Sequence, residues 1–250
     1  MPLAENPLTN YLHTMALNSG TVRYEFILEE ETLSFDILLN PDASIDREDL
    51  ETAPNWTELG CNQCECCPLK SEEQSHCPAA VHIHRSIERF SGSASIEEIR
   101  LKVQTARRTF EQDCDLQSAI NSMLGLQMAT SGCPILGKLR VMTNFHMPFS
   151  SFAETLYRSV GAYLIKQYYE QQDGQAPDWE LKGLQQFYEE LELLNEAFSA
   201  RIRNMDRNDA ISNAVVMFFA TSVVVASALE EGLAEFKDYF TGASVTPPEG

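Results

Sequence analysis

Seventeen positions, Cys61 to Cys77, hold five of the chain's seven cysteines: "CNQCECCPL" at Cys61–Leu69 and the head of "CPAA" at Cys77–Ala80. Thiols at that density suit three chemistries: thiolate ligation of a soft metal, disulfide bonding, or reversible thiol redox. A Cys-x-x-Cys turn sets two sulfurs on one side of a tight backbone loop, and Cys61, Cys64 and Cys67 stand at Cys-x-x-Cys-x-x-Cys spacing. That run is similar to the first three ligands of a bacterial ferredoxin, but no fourth cysteine follows at the next short interval. Cys77 and the distant Cys133 are the candidates for the fourth. Cys67, Cys77 and Cys133 each precede a proline. The proline ring fixes the next backbone angle and removes an amide hydrogen, so the chain leaves each thiol in a set direction. This shared context groups the three. Cys114, in "EQDCDLQ", lacks it and reads as an ordinary buried thiol.

Four thiolates drawn from the cluster and Cys133 make metal ligation the leading reading, ahead of redox thiols without metal and of unrelated buried cysteines. Zinc and an iron–sulfur cluster both accept four thiolates, so the metal stays open between them. His76 adjoins Cys77 and is a weaker ligand candidate, because adjacent residues rarely converge on one ion. His82 and His84 point to different sides of any helix and receive no role. His146, in "NFHMPF", is the histidine whose loop position favours a site role, set against an ordinary loop histidine. Glu154 and Arg158, four apart on a predicted helix, are expected to pair with each other. The chain lacks the two Glu-x-x-His motifs of a di-iron site, and it has no serine nucleophile elbow, phosphate-binding glycine loop or His-Glu-x-x-His motif. An enzyme is therefore the alternative reading: an oxidoreductase using Cys64 and Cys67 as a redox dithiol, or His146 beside a catalytic metal.

Composition narrows the setting. With 44% hydrophobic residues in 250, the chain can bury a core without disulfides. Its first twenty residues lack a basic region followed by an apolar core, so a cytoplasmic, reducing setting is expected, where cysteine clusters bind metal or do redox chemistry. The odd cysteine total leaves one thiol unpaired in any all-disulfide scheme. A formal charge of −19 runs against nucleic-acid binding, which needs a basic footprint. A protein partner is left open.

The elements that must hold these residues can be read from periodicity. "VRYEFIL" (Val22–Leu28) and "LSFDILL" (Leu33–Leu39) alternate apolar and polar, a hairpin with one buried face. A helix is expected from Pro78, and "EIRLKVQT" alternates again with "RTFEQ" as its return strand. From Asp115 the pattern is helical: one helix with an Asp N-cap running to Gly132, and a second opened by Ser151 and Glu154 in capping-box spacing and closed at Asp173–Gly174. A third carries Leu181, Leu184, Tyr188, Leu191, Asn195, Phe198, Ile202 and Met205 as a bundle seam, with Asn195 fixing register. Ala210–Leu229 is twenty residues without charge, the length of a membrane span, but it is diluted by Ser, Thr and Asn. It is expected as a core helix, with a membrane the lesser reading.

Trp56 and Leu59, "CECCPL" (Cys64–Leu69), "CPAA" (Cys77–Ala80), "GLQMATSGCP" (Gly125–Pro134), "FHMPF" (Phe145–Phe149) and "ETLYR" (Glu154–Arg158) together resemble an uncharacterised bacterial family known only as a domain of unknown function. The resemblance runs from the first hairpin into the last helix and brings no activity. It implies that Cys64, Cys67, Cys77, Cys133 and His146 are the residues that matter, and that Cys61 and Cys66 are extra in this chain. The expected fold is α+β: two antiparallel β-hairpins packed on an antiparallel helical bundle, with the cysteine loop at the junction. Residues 1–20 form an N-terminal extension, 21–240 one domain (hairpins and cysteine loop to 113, bundle from 114) and 241–250 a frayed tail. The expected function is a metal-binding protein with a four-cysteine site, Cys64, Cys67, Cys77 and Cys133, that is structural or senses redox or metal state. Cys61, His76 and His146 are lesser candidates.

Overall fold

The alternating segments near the N-terminus form the hairpin that their pattern predicts. β1 (Thr21–Ile27) pairs antiparallel with β2 (Thr32–Leu38), Tyr24 facing Phe35 and Phe26 facing Leu33. The computed structural model describes residues 20–39, 50–90, 94–203 and 209–242. Residues 1–19 of the expected extension, most of the connection after Leu39, Met205 of the expected seam and the tail from 243 lie outside the described residues.

β3 (Glu98–Gln104) and β4 (Thr109–Asp115) make a second antiparallel pair, and β3 also pairs antiparallel with β1. The result is one four-stranded antiparallel sheet in the order β2-β1-β3-β4. Its inner face buries Val22, Tyr24, Phe26, Leu33, Ile37, Ile99, Leu101 and Val103. The other face carries cross-strand ion pairs, Arg23–Asp36, Lys102–Glu25 and Arg100–Asp113. These mark the solvent side, where water and salt screen them and they add little to stability.

The first helix, α1 (Pro78–Arg89), has Cys77 as its N-cap residue and Pro78 in its first turn, where a missing amide hydrogen costs nothing. It turns Ala79, Ala80, Ile83 and Ile87 to the core, and Phe90 just past its end packs 4.8 Å from the Phe26 ring, centroid to centroid. α2 (Leu116–Thr130) starts where the Asp115 carboxylate accepts the Ser118 amide at 2.8 Å. It ends before Gly132, whose φ of +85° is a left-handed turn that glycine alone adopts freely, and which leads straight into Cys133.

After a short α3 (Arg140–Thr143), the long α4 (Phe152–Gln172) opens on the reciprocal Ser151–Glu154 capping box. α5 (Lys182–Arg203), α6 (Asp209–Glu230) and a short α7 (Lys237–Thr241) complete the described chain. α6 packs against both α2 and α5. The approach to α2 is close at Gly125, where an added Cβ would lie 3.1 Å from the Phe218 ring.

One sequence expectation shifts. The buried stripe of α5 is Leu184, Phe187, Leu191, Leu194, Phe198 and Arg201, with Tyr188 and Ile202 beside it. Asn195 is not its register device: it is half-buried, and its side-chain oxygen accepts the Ser199 hydroxyl of the same helix at 2.9 Å. Ser212–Glu230 is the one helix among the described residues long and apolar enough to cross a membrane. Its Ala214, Val215, Phe219, Val225 and Ala226 are buried in the protein's own core, and a core helix meets the same length and apolarity criteria.

Candidate metal centre

The cysteine segment is a loop pinned at its neck. The Leu59 amide donates to the Ser75 carbonyl at 2.8 Å, the Cys77 amide to the Thr57 carbonyl at 2.8 Å, and Glu58 bridges antiparallel to His76. Residues 60–74 bulge out from this short ladder with Cys61, Cys64, Cys66 and Cys67, while Cys77 sits at its foot. Within the bulge the Cys67 amide donates to the Cys64 carbonyl at 2.9 Å. That closes the tight turn which sets two Cys-x-x-Cys sulfurs on one side.

The neck is clamped from α5. Arg201, 2% exposed, donates Nη1 to the carbonyls of Trp56 and Glu58, both at 2.6 Å, and Nη2 to that of Leu59 at 3.3 Å. A guanidinium's fixed fork of donors matches several carbonyls of one bend, and charge-assisted bonds offset the cost of burying it. Sequence reading assigns Arg201 no role. The missed signal lies in the spacing: Leu191, Leu194 and Phe198 step by three and four, and the next step of three is Arg201, a charged residue in a seam slot.

The second segment comes from the end of α2. Cys133 is 7% exposed, and its carbonyl accepts the Gly137 amide at 2.8 Å, just as the Cys77 carbonyl accepts the Val81 amide at 3.0 Å. Both Cys-Pro units therefore open a helical turn, which is the structural content of the shared proline context.

The thiols of the three segments share one electrostatic neighbourhood. Burial pushes the Cys64 thiol up to about 12, and the nearby sulfurs of Cys77, Cys66, Cys67 and Cys133 push the same way. Burial likewise raises Cys133 to about 11, against the amides of Leu136 and Ile135 and together with Cys77 and Cys67. Cys77 is raised by burial, opposed by the Ala80 amide, Arg201 and the Ala79 amide, and reinforced by Cys67. Cys64, Cys67, Cys77 and Cys133 are thus mutual neighbours, and Cys61 is not among the groups that act on them. The sulfurs stand gathered rather than closed: among the described residues, no three His, Cys, Asp or Glu side chains are arranged to hold a metal ion. The donor set itself, four soft sulfurs beside a buried cation and helical amides, suits zinc or an iron–sulfur cluster.

Cys66 also acts on Cys64, while His76, His84 and Cys114 are not among the groups that act on Cys64, Cys77 and Cys133. Cys66 is raised by burial and directs its thiol to the Glu190 carbonyl of α5 at 3.5 Å. His76 is held by Ser75, whose hydroxyl lies 2.8 Å from Nδ1. His84, 1% exposed, has Nδ1 2.6 Å from the Val81 carbonyl. Cys114 is half-buried on β4 opposite Ile99, and burial with Asp115, Glu98 and Asp113 pushes it up to about 11.

His146 belongs to a different place. Its Nε2 is 2.5 Å from the buried Tyr24 hydroxyl, which also lies 3.1 Å from the Ser122 carbonyl. Burial and the Arg158 charge hold His146 down to about 3, so it is neutral at ordinary pH. It lines a cleft of about 850 Å³ together with Cys114 and Arg158, and none of the other six cysteines is among the residues of that wall.

The expected Glu154–Arg158 ion pair does not form. The Glu154 carboxylate takes the Ser151 amide at 2.8 Å and the Ser151 hydroxyl at 2.9 Å, while Arg158 turns inward to the Met142 carbonyl and the Ser150 hydroxyl. The capping box claims the acid because the helix's first amides have no other partner.

Residues 21–241 match a family described as "Domain of unknown function (DUF6901)". No curated protein and no solved structure matches the chain.

Proposed function

The chain belongs to that family, DUF6901, and on this premise we propose that it is a metal-binding protein in which Cys64, Cys67, Cys77 and Cys133 supply four thiolates. The architecture fits the role: two hairpins on a helical bundle, with the cysteine loop at their junction, so that an ion would tie the loop to the end of α2. The observation carrying the reading is the grouping itself. Of the seven thiols, the four marked out by turn spacing and by a following proline come from the cysteine loop and the end of α2, and Cys67, Cys77 and Cys133 all act on the Cys64 thiol.

Zinc is the ion the set suits best. One Cys-x-x-Cys turn plus two distant cysteines is an ordinary tetrahedral arrangement, whereas the ferredoxin-like run leans on Cys61, which stands outside the group. Ligation requires thiolates, so loading releases protons and weakens as pH falls. Raised thiols also weigh against the redox alternative. Cys64 pushed up to about 12 is protonated at neutral pH, and a protonated thiol is a poor nucleophile. With the sulfurs this protected, the reading favours a structural staple over a redox sensor.

Metal analysis and an absorption spectrum of anaerobically purified protein test the proposal. About one zinc per chain without colour is expected for a single tetrahedral site. A brown chromophore would replace zinc with an iron–sulfur cluster on the same ligands, and no metal with a readily oxidised Cys64–Cys67 pair would favour the dithiol. Cys133→Ser is expected to lower occupancy and Cys61→Ser to leave it unchanged. Equal losses would mean that the wrong four cysteines have been chosen.

A further inference from the structure

The cleft holding His146 contains a part-buried cation that feels the Glu154 charge but makes no close ion pair among the described residues. Arg158 projects from α4, donates Nη1 to the Ser150 hydroxyl at 3.2 Å and Nη2 to the Met142 carbonyl at 3.1 Å, and keeps a buried Nε with no hydrogen-bond partner. The acid one turn away, Glu154, is committed to Ser151. Among the described residues no carboxylate forms an ion pair with Arg158. A guanidinium cannot shed its proton, so withdrawing it from water without an anion is costly unless something else supplies the charge.

The surrounding wall indicates what that anion carries. The same cleft of about 850 Å³ is lined by Leu126, Met217, Phe218 and Val225, and by Asn121, whose buried side-chain oxygen also lacks a partner. The wall is thus mixed, an apolar strip facing polar groups, which suits a small molecule with one apolar part and one polar head. The strand side of the wall bears Glu98, Asp113 and Asp115. These acids disfavour a multiply charged anion such as a phosphate ester or a tricarboxylate. We infer that this cleft binds a small monocarboxylic acid with an apolar body, its carboxylate on Arg158 and its body against α2 and α6.

The site is separate from the proposed metal centre, since Cys64, Cys67, Cys77 and Cys133 are all absent from its wall, so either reading can fail without the other. Calorimetric titration of the full chain with octanoate, 1-octanol and inorganic phosphate tests it. Saturable one-to-one octanoate binding is expected, about tenfold or more weaker for 1-octanol and for Arg158→Gln. Val224→Asp, at a cleft position 48% exposed where a charge is tolerated by the fold, sets a negative charge against the ligand and is expected to weaken octanoate binding about tenfold or more as well. Equal binding of 1-octanol, equal binding of phosphate, no binding of octanoate, or undiminished binding by a folded Val224→Asp protein would each overturn the inference.

Discussion

Arg201 and Arg158 are both arginines drawn inward from helices, and the structure treats them oppositely. At the cysteine corner Arg201 has three backbone carbonyls around its fork and acts as a clamp on the loop neck. At the cleft Arg158 has one carbonyl and one hydroxyl, with Nε left over. A buried cation that is fully hydrogen-bonded fixes a conformation, whereas one that is under-satisfied beside a cavity leaves free energy available to a ligand. The corner is therefore read as a place to be stapled and the cleft as a place to be filled.

The largest effect that could break this contrast is expected at the clamp. Arg201→Met keeps the apolar stem but leaves the Trp56 and Leu59 carbonyls without their donor, while the Glu58 carbonyl keeps the Cys61 amide. At about 1–3 kcal/mol for each buried group left unmade, the loss is expected to be about 4 kcal/mol. Urea denaturation measures it, and metal occupancy should fall in the same variant because the loop neck loosens. A loss below about 1 kcal/mol, the worth of an ordinary exposed contact, would mean that the ladder at residues 57–59 and 75–77 holds the loop unaided.

The two regions also differ in how far the sequence discloses them. The corner was legible because its signals are local: Cys-x-x-Cys spacing makes the turn, and Cys-Pro opens a helical turn at both Cys77 and Cys133. That Cys133 lies near enough to influence the Cys64 thiol is a tertiary feature that no spacing expresses; the proline context and a family resemblance only group it with the others. The cleft was hardly legible. Tyr24, Ser122, His146 and Arg158 come from a strand, two helices and a loop, and no period links them. Even Arg158 was misassigned, because the four-residue spacing to Glu154 satisfies the ion-pair rule while the cap at Ser151 outcompetes it. Alternation gave both strand pairs, since a half-buried strand must repeat every two residues, but it cannot state that β1 and β3 join them into one sheet.

Changing pH should separate the regions by direction. His146 is held at about 3, below its usual value of about 6.5 in an unfolded chain. Between these values the unfolded state binds the proton and the folded state does not, so the contribution of His146 is present above about pH 6.5 and is lost as pH falls. The corner behaves in reverse. Cys64 at about 12 and Cys133 at about 11 lie above the ordinary thiol value of 9.0, so their contribution is full below that value and is lost as pH rises toward 11 and 12. Stability of the metal-free protein across pH is expected to decline on both sides, with His146→Gln flattening the slope between about pH 6.5 and 5. Zinc loading should remove the alkaline decline alone, because a ligated thiolate has no proton left to lose. An alkaline limb unchanged by zinc would detach the thiols from the metal.

The smallest expected effect sharpens the comparison at Arg158 itself. If Arg158 is reserved for the cleft, its coupling to Glu154 should be small even though the two are one helical turn apart. Glu154 is held well below the usual carboxylate range chiefly by the Ser151 amide and hydroxyl, with Arg158 a weaker influence. A double-mutant cycle on Glu154→Ala and Arg158→Ala is therefore expected to give a smaller coupling than an exposed helical ion pair would. The parallel cycle on Ser151→Ala and Glu154→Ala should give more, because removing either residue leaves amides of the first turn unpaired. Reversal of that order would return Arg158 to the helix surface and leave the cleft without the unpaired cation on which its ligand depends.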